Sequence, residues 1–149
     1  MALALTRDFG ELAYEPAQEW HFAHGLPGFE DQNRFILIER PDLAPVVLLQ
    51  SLQNPALCFL AVSVWVADPA YQVGITPDDL DALGLRRQPQ PGDETVCLAI
   101  LSRSGEAFTA NLLAPVVCNP LTRGALQAVR ADAVYSHRHP LRLGALPCL

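Results

Sequence analysis

The sequence predicts a mainly β fold in a single domain, with one short α-helix near residues 77–83. Thirteen prolines and nine glycines interrupt the 149 residues at short intervals. Between them lie short runs rich in Val, Leu, Ile, Phe and Trp, which are typical of short strands. Long helices are disfavoured because proline removes a backbone donor and clashes with the preceding turn. We expect one domain over residues 1–149, with a structured core at about 9–141.

Nine apolar runs bounded by turn residues are predicted to be strands. They span residues 10–14, 18–23, 34–39, 46–52, 58–66, 95–101, 107–112, 116–119 and 128–130. The runs 58–66 and 95–101 carry apolar side chains at both odd and even positions. Because successive side chains of a strand point to opposite faces, both faces of these two strands should be covered. The pattern alone does not decide between a closed barrel and a sandwich.

The predicted helix has signals at both ends. Thr76 is a hydroxyl N-cap, Pro77 fits the first helical position, and Asp78 and Asp79 place carboxylates at the positive end of the helix dipole. Ile75 and Leu80 have the spacing of a hydrophobic staple. Gly84 can take the left-handed conformation that ends a helix. The helix is therefore about two turns long.

Charge argues against nucleic-acid binding. Ten basic and sixteen acidic residues give a net charge of −6, and every basic residue is an arginine. A nucleic-acid-binding surface usually carries a basic stripe, whereas these arginines are scattered, with Arg86-Arg87 the one adjacent pair. We therefore expect no direct contact with nucleic acid. A basic protein partner would be attracted.

Hydropathy predicts a cytoplasmic protein without membrane contact. No apolar run approaches the ~18 residues that span a bilayer. Residues 1–7 lack the basic start and the long apolar centre of a signal peptide.

The cysteines and histidines do not predict a metal or cofactor site. The four cysteines have no C-x-x-C spacing and are expected to be free thiols in a reducing cytosol: Cys58, Cys97, Cys118 and Cys148. His21 and His24 should point to opposite sides of a strand. His137 and His139 have no nearby acidic residue or cysteine to complete a coordination shell.

Motifs for catalysis are missing as well. The sequence contains no G-x-S-x-G elbow, no Walker loop and no G-x-G-x-x-G. The acidic pairs have other roles, since Asp78-Asp79 begins a helix and Glu30-Asp31 lies in a turn. We therefore predict no catalytic residues and no enzyme activity.

Three segments are more specific than ordinary turns. Residues 25–30 read GLPGFE, in which Pro27-Gly28 fits a type II turn. Residues 111–119 read NLLAPVVCN, and residues 135–141 read YSHRHPL. Together with LQSL at 49–52, Tyr71 and ITPDDLDAL at 75–83, these segments resemble the FliW family of flagellar assembly factors over roughly residues 9–141.

The resemblance implies a compact, antiparallel, barrel-like β fold with a minor helix and without catalysis. It also implies two alternative partners, flagellin and the translational repressor CsrA. When flagellin is scarce, a family member binds CsrA and relieves the repression of flagellin translation. The sequence departs from the family pattern at residues 63–65, where an aspartate-proline break is more usual. Arg130 and Val134 also depart from it.

Candidate partner-binding residues follow from these arguments. Phe29 is a candidate apolar anchor for flagellin, although it could instead pack on its own barrel. Carboxylates are expected to speed association with basic CsrA: Glu30, Asp31, Asp78, Asp79 and Asp81. The bracketing residues Asn111 and Asn119 are further candidates. Two alternatives stay open, a small β-barrel that binds single-stranded RNA and a flagellin secretion chaperone that does not bind CsrA.

Overall fold

The computed structural model describes residues 1–141. Cys148, one of the expected free thiols, lies outside the described residues. Eleven strands occur in the described range: β1 Ala2–Thr6, β2 Gly10–Tyr14, β3 Trp20–Phe22, β4 Arg34–Ile38, β5 Val47–Ser51, β6 Cys58–Ser63, β7 Val96–Ser104, β8 Ala107–Ala110, β9 Val116–Cys118, β10 Gly124–Gln127 and β11 His139–Pro140. The helices are α1 Val64–Ala67, α2 Pro77–Leu83 and a 3₁₀ turn at Pro16–Gln18.

Seven strands close into a barrel in the order β7-β6-β5-β4-β3-β10-β9, with β9 pairing back onto β7. This closure confirms the barrel-like β fold. Every pairing in the barrel is antiparallel except that of β3 with β10, which is parallel. Strands β8 and β11 extend the sheet beyond β7, and β1 and β2 form a separate antiparallel hairpin.

The barrel interior is one apolar cluster to which all seven strands contribute alternate residues. Its buried members on the strands are Trp20, Phe22, Phe35, Leu49, Ala61, Leu98, Val116, Cys118 and Ala125. Full burial of a large apolar side chain stabilises the fold by about 1.5–3 kcal/mol.

A second apolar cluster covers one outer side of the barrel. It combines residues of the opposite strand faces, such as Val62 and Ala99, with residues of the segment 71–83, which we call the covering segment: Tyr71, Ile75 and Leu83. Strands β6 and β7 therefore carry apolar contacts on both faces, as predicted. The burial of Cys97 and Cys118 in the two clusters raises their thiol pKa values, that of Cys97 to about 12.

Helix α2 begins and ends at the predicted residues. The Thr76 hydroxyl accepts a hydrogen bond from Asp79 N at 3.3 Å. Gly84 has φ 71°, and Leu85 N donates to Leu80 O, so the helix ends in a left-handed turn that satisfies its last carbonyls. Neither helix among residues 1–141 has the length and apolar character that crossing a membrane requires.

The predicted strand 58–66 ends early, because the chain turns into α1 at Val64. Ser63 acts as N-cap by accepting a hydrogen bond from Trp65 N. The Trp65 indole then donates to Tyr71 O at 3.0 Å, which fixes the start of the covering segment. The polar Ser63 within an apolar run is thus the end of the strand and not part of one face.

The predicted strand at 128–130 is wrong. The strand in this region is β10, four residues earlier, while Ala128 N and Arg130 N donate to the loop carbonyls of Pro115 and Leu113. Strands β1 and β11 were not predicted. The start of the predicted strand 18–23 is also corrected, because the 3₁₀ turn ends at Gln18 and β3 begins at Trp20.

Candidate functional site

One rim of the barrel brings together the turn at 25–30 and the start of the segment 111–119, two of the segments that the sequence singled out. The pairing directions show that β3, β5, β7 and β10 all end at this rim. Three connections therefore meet there: the loop 23–33, the loop 52–57 and the segment 111–115 before β9. We call this end of the barrel the Phe29 rim.

The turn at 26–29 has the predicted type II geometry. Phe29 N donates to Leu26 O at 2.7 Å, and Gly28 has φ 84°. Gly25 is required because a Cβ there would overlap the carbonyl oxygen of Phe29. The turn directs Leu26 into the barrel interior, where it is 2% exposed.

Phe29 is packed on one side and exposed on the other. Its ring meets Phe59 edge-on, with centroids 5.5 Å apart, and 38% of the residue stays exposed. The ring of Phe59 in turn lies beside the ring of Phe35 inside the barrel, with their centroids 6.4 Å apart. The Phe29 ring thus packs on the barrel on one side and presents its other side to solvent, and its role as an anchor for flagellin stays a prediction.

A buried amide organises the neighbouring loop. Gln50 is 1% exposed, and its Nε2 lies 3.0–3.4 Å from the carbonyl oxygens of Ser51, Asn54, Pro55 and Leu57. The Ser51 hydroxyl donates to Gln32 Oε1 at 2.6 Å, which ties the loop 52–57 to the loop that carries Phe29. Sequence reasoning did not select Gln50 or Ser51 as functional residues. The sequence did contain a signal for them, because two consecutive polar residues follow the apolar run 46–49 within a predicted strand.

The two asparagines lie at opposite ends of the barrel. Asn111 belongs to the Phe29 rim, where its Oδ1 accepts hydrogen bonds from Leu113 N and Ala114 N. Asn119 is 3% exposed at the other end, and its Nδ2 donates to Leu83 O at 2.8 Å. The side chain of Asn119 thus joins α2 to the barrel, and its Oδ1 also accepts a hydrogen bond from Leu121 N.

The predicted carboxylates fall into two separate groups. Glu30 and Asp31 are exposed on the Phe29 rim, and Glu30 Oε1 accepts a hydrogen bond from Gly28 N. The α2 carboxylates are Asp78, Asp79 and Asp81, of which Asp79 is half-buried. Helix α2 packs on β10 and ends beside Asn119, so its last turn lies at the opposite rim. Within residues 1–141, none of these five carboxylates forms an ion pair.

The opposite rim carries an arginine arrangement that sequence reasoning missed. The Arg123 guanidinium lies 3.5 Å above the Trp20 ring and donates to the carbonyls of Gln18 and Glu19. The nearly buried Glu19 carboxylate accepts two hydrogen bonds from Arg34, which lower the pKa of Glu19. Arg123 also has φ 63°, a conformation uncommon for a residue other than glycine.

Two clefts flank the β1–β2 hairpin. One, of about 530 Å³, is lined mainly by apolar residues including Leu60, Leu101 and Phe108. The other, of about 700 Å³, lies between the hairpin and β4. Burial raises the pKa of Cys58, in the first cleft, to about 11, so its thiol is protonated at neutral pH. Among residues 1–141, no cluster of three His, Cys, Asp or Glu side chains is placed to hold a metal ion.

Known proteins resemble this chain in sequence. Residues 4–141 match the family model described as FliW protein. The chain is 33% identical over 137 residues to the flagellar assembly factor FliW of Geobacter sulfurreducens, covering 91% of this chain and 83% of that protein. It is 28% identical over 140 residues to the flagellar assembly factor FliW of Bacillus pumilus, covering 94% and 96%.

The three-dimensional fold agrees with these sequence matches. A crystal structure of the flagellar assembly factor FliW superimposes with a TM-score of 0.83 at 26% identity, covering 95% of this chain and 98% of that chain. On the sequence and on the fold alike, the chain belongs to the FliW family of flagellar assembly factors.

Proposed function

We propose that this chain is a non-catalytic, cytoplasmic regulator that binds flagellin and, in alternation, the translational repressor CsrA. Its family membership is the observation that carries this proposal. Flagellin would occupy the chain while it accumulates, which leaves CsrA free to repress. When flagellin is secreted, the chain would bind CsrA and relieve the repression of flagellin translation.

Mass action is sufficient for this switch. If the two ligands exclude each other, whichever is in excess of its dissociation constant displaces the other. Exclusion can arise from overlapping contacts or from a negative coupling of about 1–3 kcal/mol between distinct sites. Competition between purified partners tests the proposal, and simultaneous full-strength binding of both would contradict it.

The Phe29 rim is our candidate surface for flagellin. It offers a partly exposed aromatic ring on a loop that the hydrogen bond from Ser51 to Gln32 ties to the loop 52–57. Aromatic anchors are common among binding hot spots. We expect Phe29→Ala to weaken flagellin binding by about 1–3 kcal/mol, roughly 5- to 150-fold. Val134→Ala, at an apolar residue that is 74% exposed, is the matched control. Full-strength binding by a folded Phe29→Ala variant would exclude this ring as the anchor.

The exposed carboxylates are our candidates for steering CsrA. A combined Glu30→Gln, Asp31→Asn and Asp81→Asn variant should associate more slowly and show a weaker salt dependence of the on-rate. Asp78 and Asp79 stay unchanged because they stabilise the start of α2. The control removes three other exposed carboxylates, Glu11, Glu39 and Glu94, and therefore has the same net charge. Equal on-rates for both triple variants would show that the position of the carboxylates is irrelevant.

RNA binding by the chain itself would contradict the proposal. A gel-shift with flagellin leader RNA, in the presence and absence of CsrA, tests this outcome. We expect the chain alone to leave the RNA unshifted and to release RNA from CsrA.

A further inference from the structure

A polar cleft of about 430 Å³ lies beside the Phe29 rim, on the part of the β7–β8 hairpin that extends beyond the barrel. Its lining contains basic and neutral polar side chains with one apolar residue and no carboxylate: Ile100, Ser102, Arg103, Ser104, Thr109, Asn111, Gln127, His137 and Arg138. This composition is notable in a chain with sixteen acidic residues and a net charge of −6. The lining of the cleft is therefore basic, although the chain as a whole is acidic.

The strand register places the hydroxyl groups on one face. Ser102 is directly opposite Thr109, and Ser104 lies two residues further along β7. Asn111 follows two residues after Thr109, just past the end of β8, where its N–H donates to Ile100 O. Side chains two residues apart in a strand share a face. Among residues 1–141, the hydroxyls of Ser102, Ser104 and Thr109 make no side-chain hydrogen bond within the protein, so their donors are available to a ligand.

The cationic side of the cleft is held in position by the backbone. Leu112 N donates to Ser136 O at 3.0 Å, and the Ser136 hydroxyl accepts a hydrogen bond from Arg138 N at 2.9 Å. His139 then pairs with Ala110 at the start of β11. These contacts fix the backbone that carries His137 and Arg138 next to β8. Within the described residues, Arg138 forms no ion pair.

Asn111 adds a further donor. Its Oδ1 accepts hydrogen bonds from the backbone N–H groups of Leu113 and Ala114, and its Nδ2 makes no hydrogen bond within residues 1–141. A guanidinium together with hydroxyl and amide donors matches the oxygens of a carboxylate or phosphate group. The volume lies within the range of small-ligand sites.

We propose that this cleft binds an oxyanion group, either a carboxylate or a phosphate. The group would accept hydrogen bonds from the Arg138 guanidinium and from the hydroxyls of Ser102 and Thr109. The cleft needs neither flagellin nor CsrA to bind an oxyanion, so anion binding and partner binding can fail independently.

The test is a titration of the ¹⁵N-labelled full-length chain with inorganic phosphate and, separately, with succinate, at an ionic strength held constant with NaCl. We expect saturable shifts of the backbone amides near Ser102, Thr109 and Arg138. If phosphate saturates the shifts and succinate does not, the cleft binds a phosphate group. If succinate saturates them, the cleft accepts a carboxylate.

Variants make the test specific. Arg138→Gln should weaken binding about tenfold, because a charge-assisted hydrogen bond is lost. Ser102→Ala, at an exposed residue, should weaken it less and without affecting the fold. Arg86→Gln is the matched control, since it removes the same charge from an exposed arginine outside the cleft. Linear, non-saturating shifts with both anions, or an equal loss in Arg86→Gln and Arg138→Gln, would overturn the proposal.

Discussion

Gly74 lies directly against the guanidinium of Arg130, so closely that a Cβ at residue 74 would come within 2.7 Å of Nη2. The Arg130 side chain is only 6% exposed and makes two hydrogen bonds to Asp132. It also donates to Gln72 O and lies 4.8 Å from the Tyr135 ring centroid. The segment that leads to β11 is thereby attached to the segment that covers the barrel.

The substitution Gly74→Ala should therefore destabilise the protein. The added methyl group displaces the Arg130 guanidinium, and overpacking of this kind costs about 1–3 kcal/mol. Urea unfolding measures the loss. Arg130→Ala removes the side chain that clashes with the added methyl group. The double variant should therefore lose less stability than the sum of the losses in the two single variants. Strict additivity would show that Gly74 and Arg130 are not coupled.

Asn119→Ala should also destabilise the fold. The substitution leaves the carbonyl oxygen of Leu83 without its donor and removes the acceptor for Leu121 N. A buried polar group that loses its partner costs about 1–3 kcal/mol. Amide hydrogen exchange should show the largest loss of protection in α2. Asn54→Ala, at an exposed residue, serves as control, and an equal effect of both substitutions would argue against the role of Asn119.

Acid should weaken the fold partly through Glu19. Arg34 holds the pKa of this carboxyl below its ordinary value of 4.5, so the folded state binds the proton less readily than the unfolded chain. The stabilisation is therefore present in full above about pH 4.5 and is lost as the pH falls through the lower folded value. We expect Glu19→Gln to be less stable than the parent chain at pH 7, with the difference narrowing towards pH 3.

The control for this pH dependence is the exposed ion pair Arg40–Asp42, in which Nε of Arg40 lies 3.2 Å from Oδ1 of Asp42. An exposed ion pair contributes about 0–1 kcal/mol, so Asp42→Asn should have little effect at either pH. Asp93 and Asp132 also have lowered pKa values, and they affect the parent and both variants equally. A gap between parent and Glu19→Gln that stays constant with pH would contradict the assignment.

Local sequence signals predicted the elements whose causes are local. Helix α2 depends on Thr76, Pro77 and Gly84, and all three act at the predicted positions. The apolar alternation of β6 and β7 likewise follows from neighbouring residues. The closure of β9 onto β7 and the parallel pairing of β3 with β10 depend on contacts between distant segments, which no local pattern contains.

The candidate site shows the same division. The turn at Pro27-Gly28 was predicted because its geometry follows from two residues. That Glu30 and the α2 carboxylates lie apart was not predictable, because their separation is set by the order of the strands around the barrel. Arg130 is the clearest case. In sequence it interrupts an apolar run, and in the structure its neighbours Tyr71, Gln72 and Gly74 come from more than fifty residues away.

The buried amide of Gln50 connects the stability of the fold with the order of the Phe29 rim. Gln50→Met keeps much of the side-chain volume and removes the buried donor that faces four carbonyl oxygens. We expect a loss of about 1–3 kcal/mol in the free energy of unfolding, because these acceptors lose their shared partner. Hydrogen exchange in the loop 52–57 should accelerate more than in the barrel strands.

Gln90→Met, at an exposed residue, is the control for this substitution. If the rim binds flagellin, Gln50→Met should weaken that binding although Gln50 itself is buried, because the loop that supports Phe29 through Ser51 and Gln32 must be ordered again at each binding event. Unchanged exchange in the loop together with unchanged stability would show that the amide does not organise the rim. A loosened loop with unchanged flagellin affinity would keep the structural role and place the flagellin surface elsewhere.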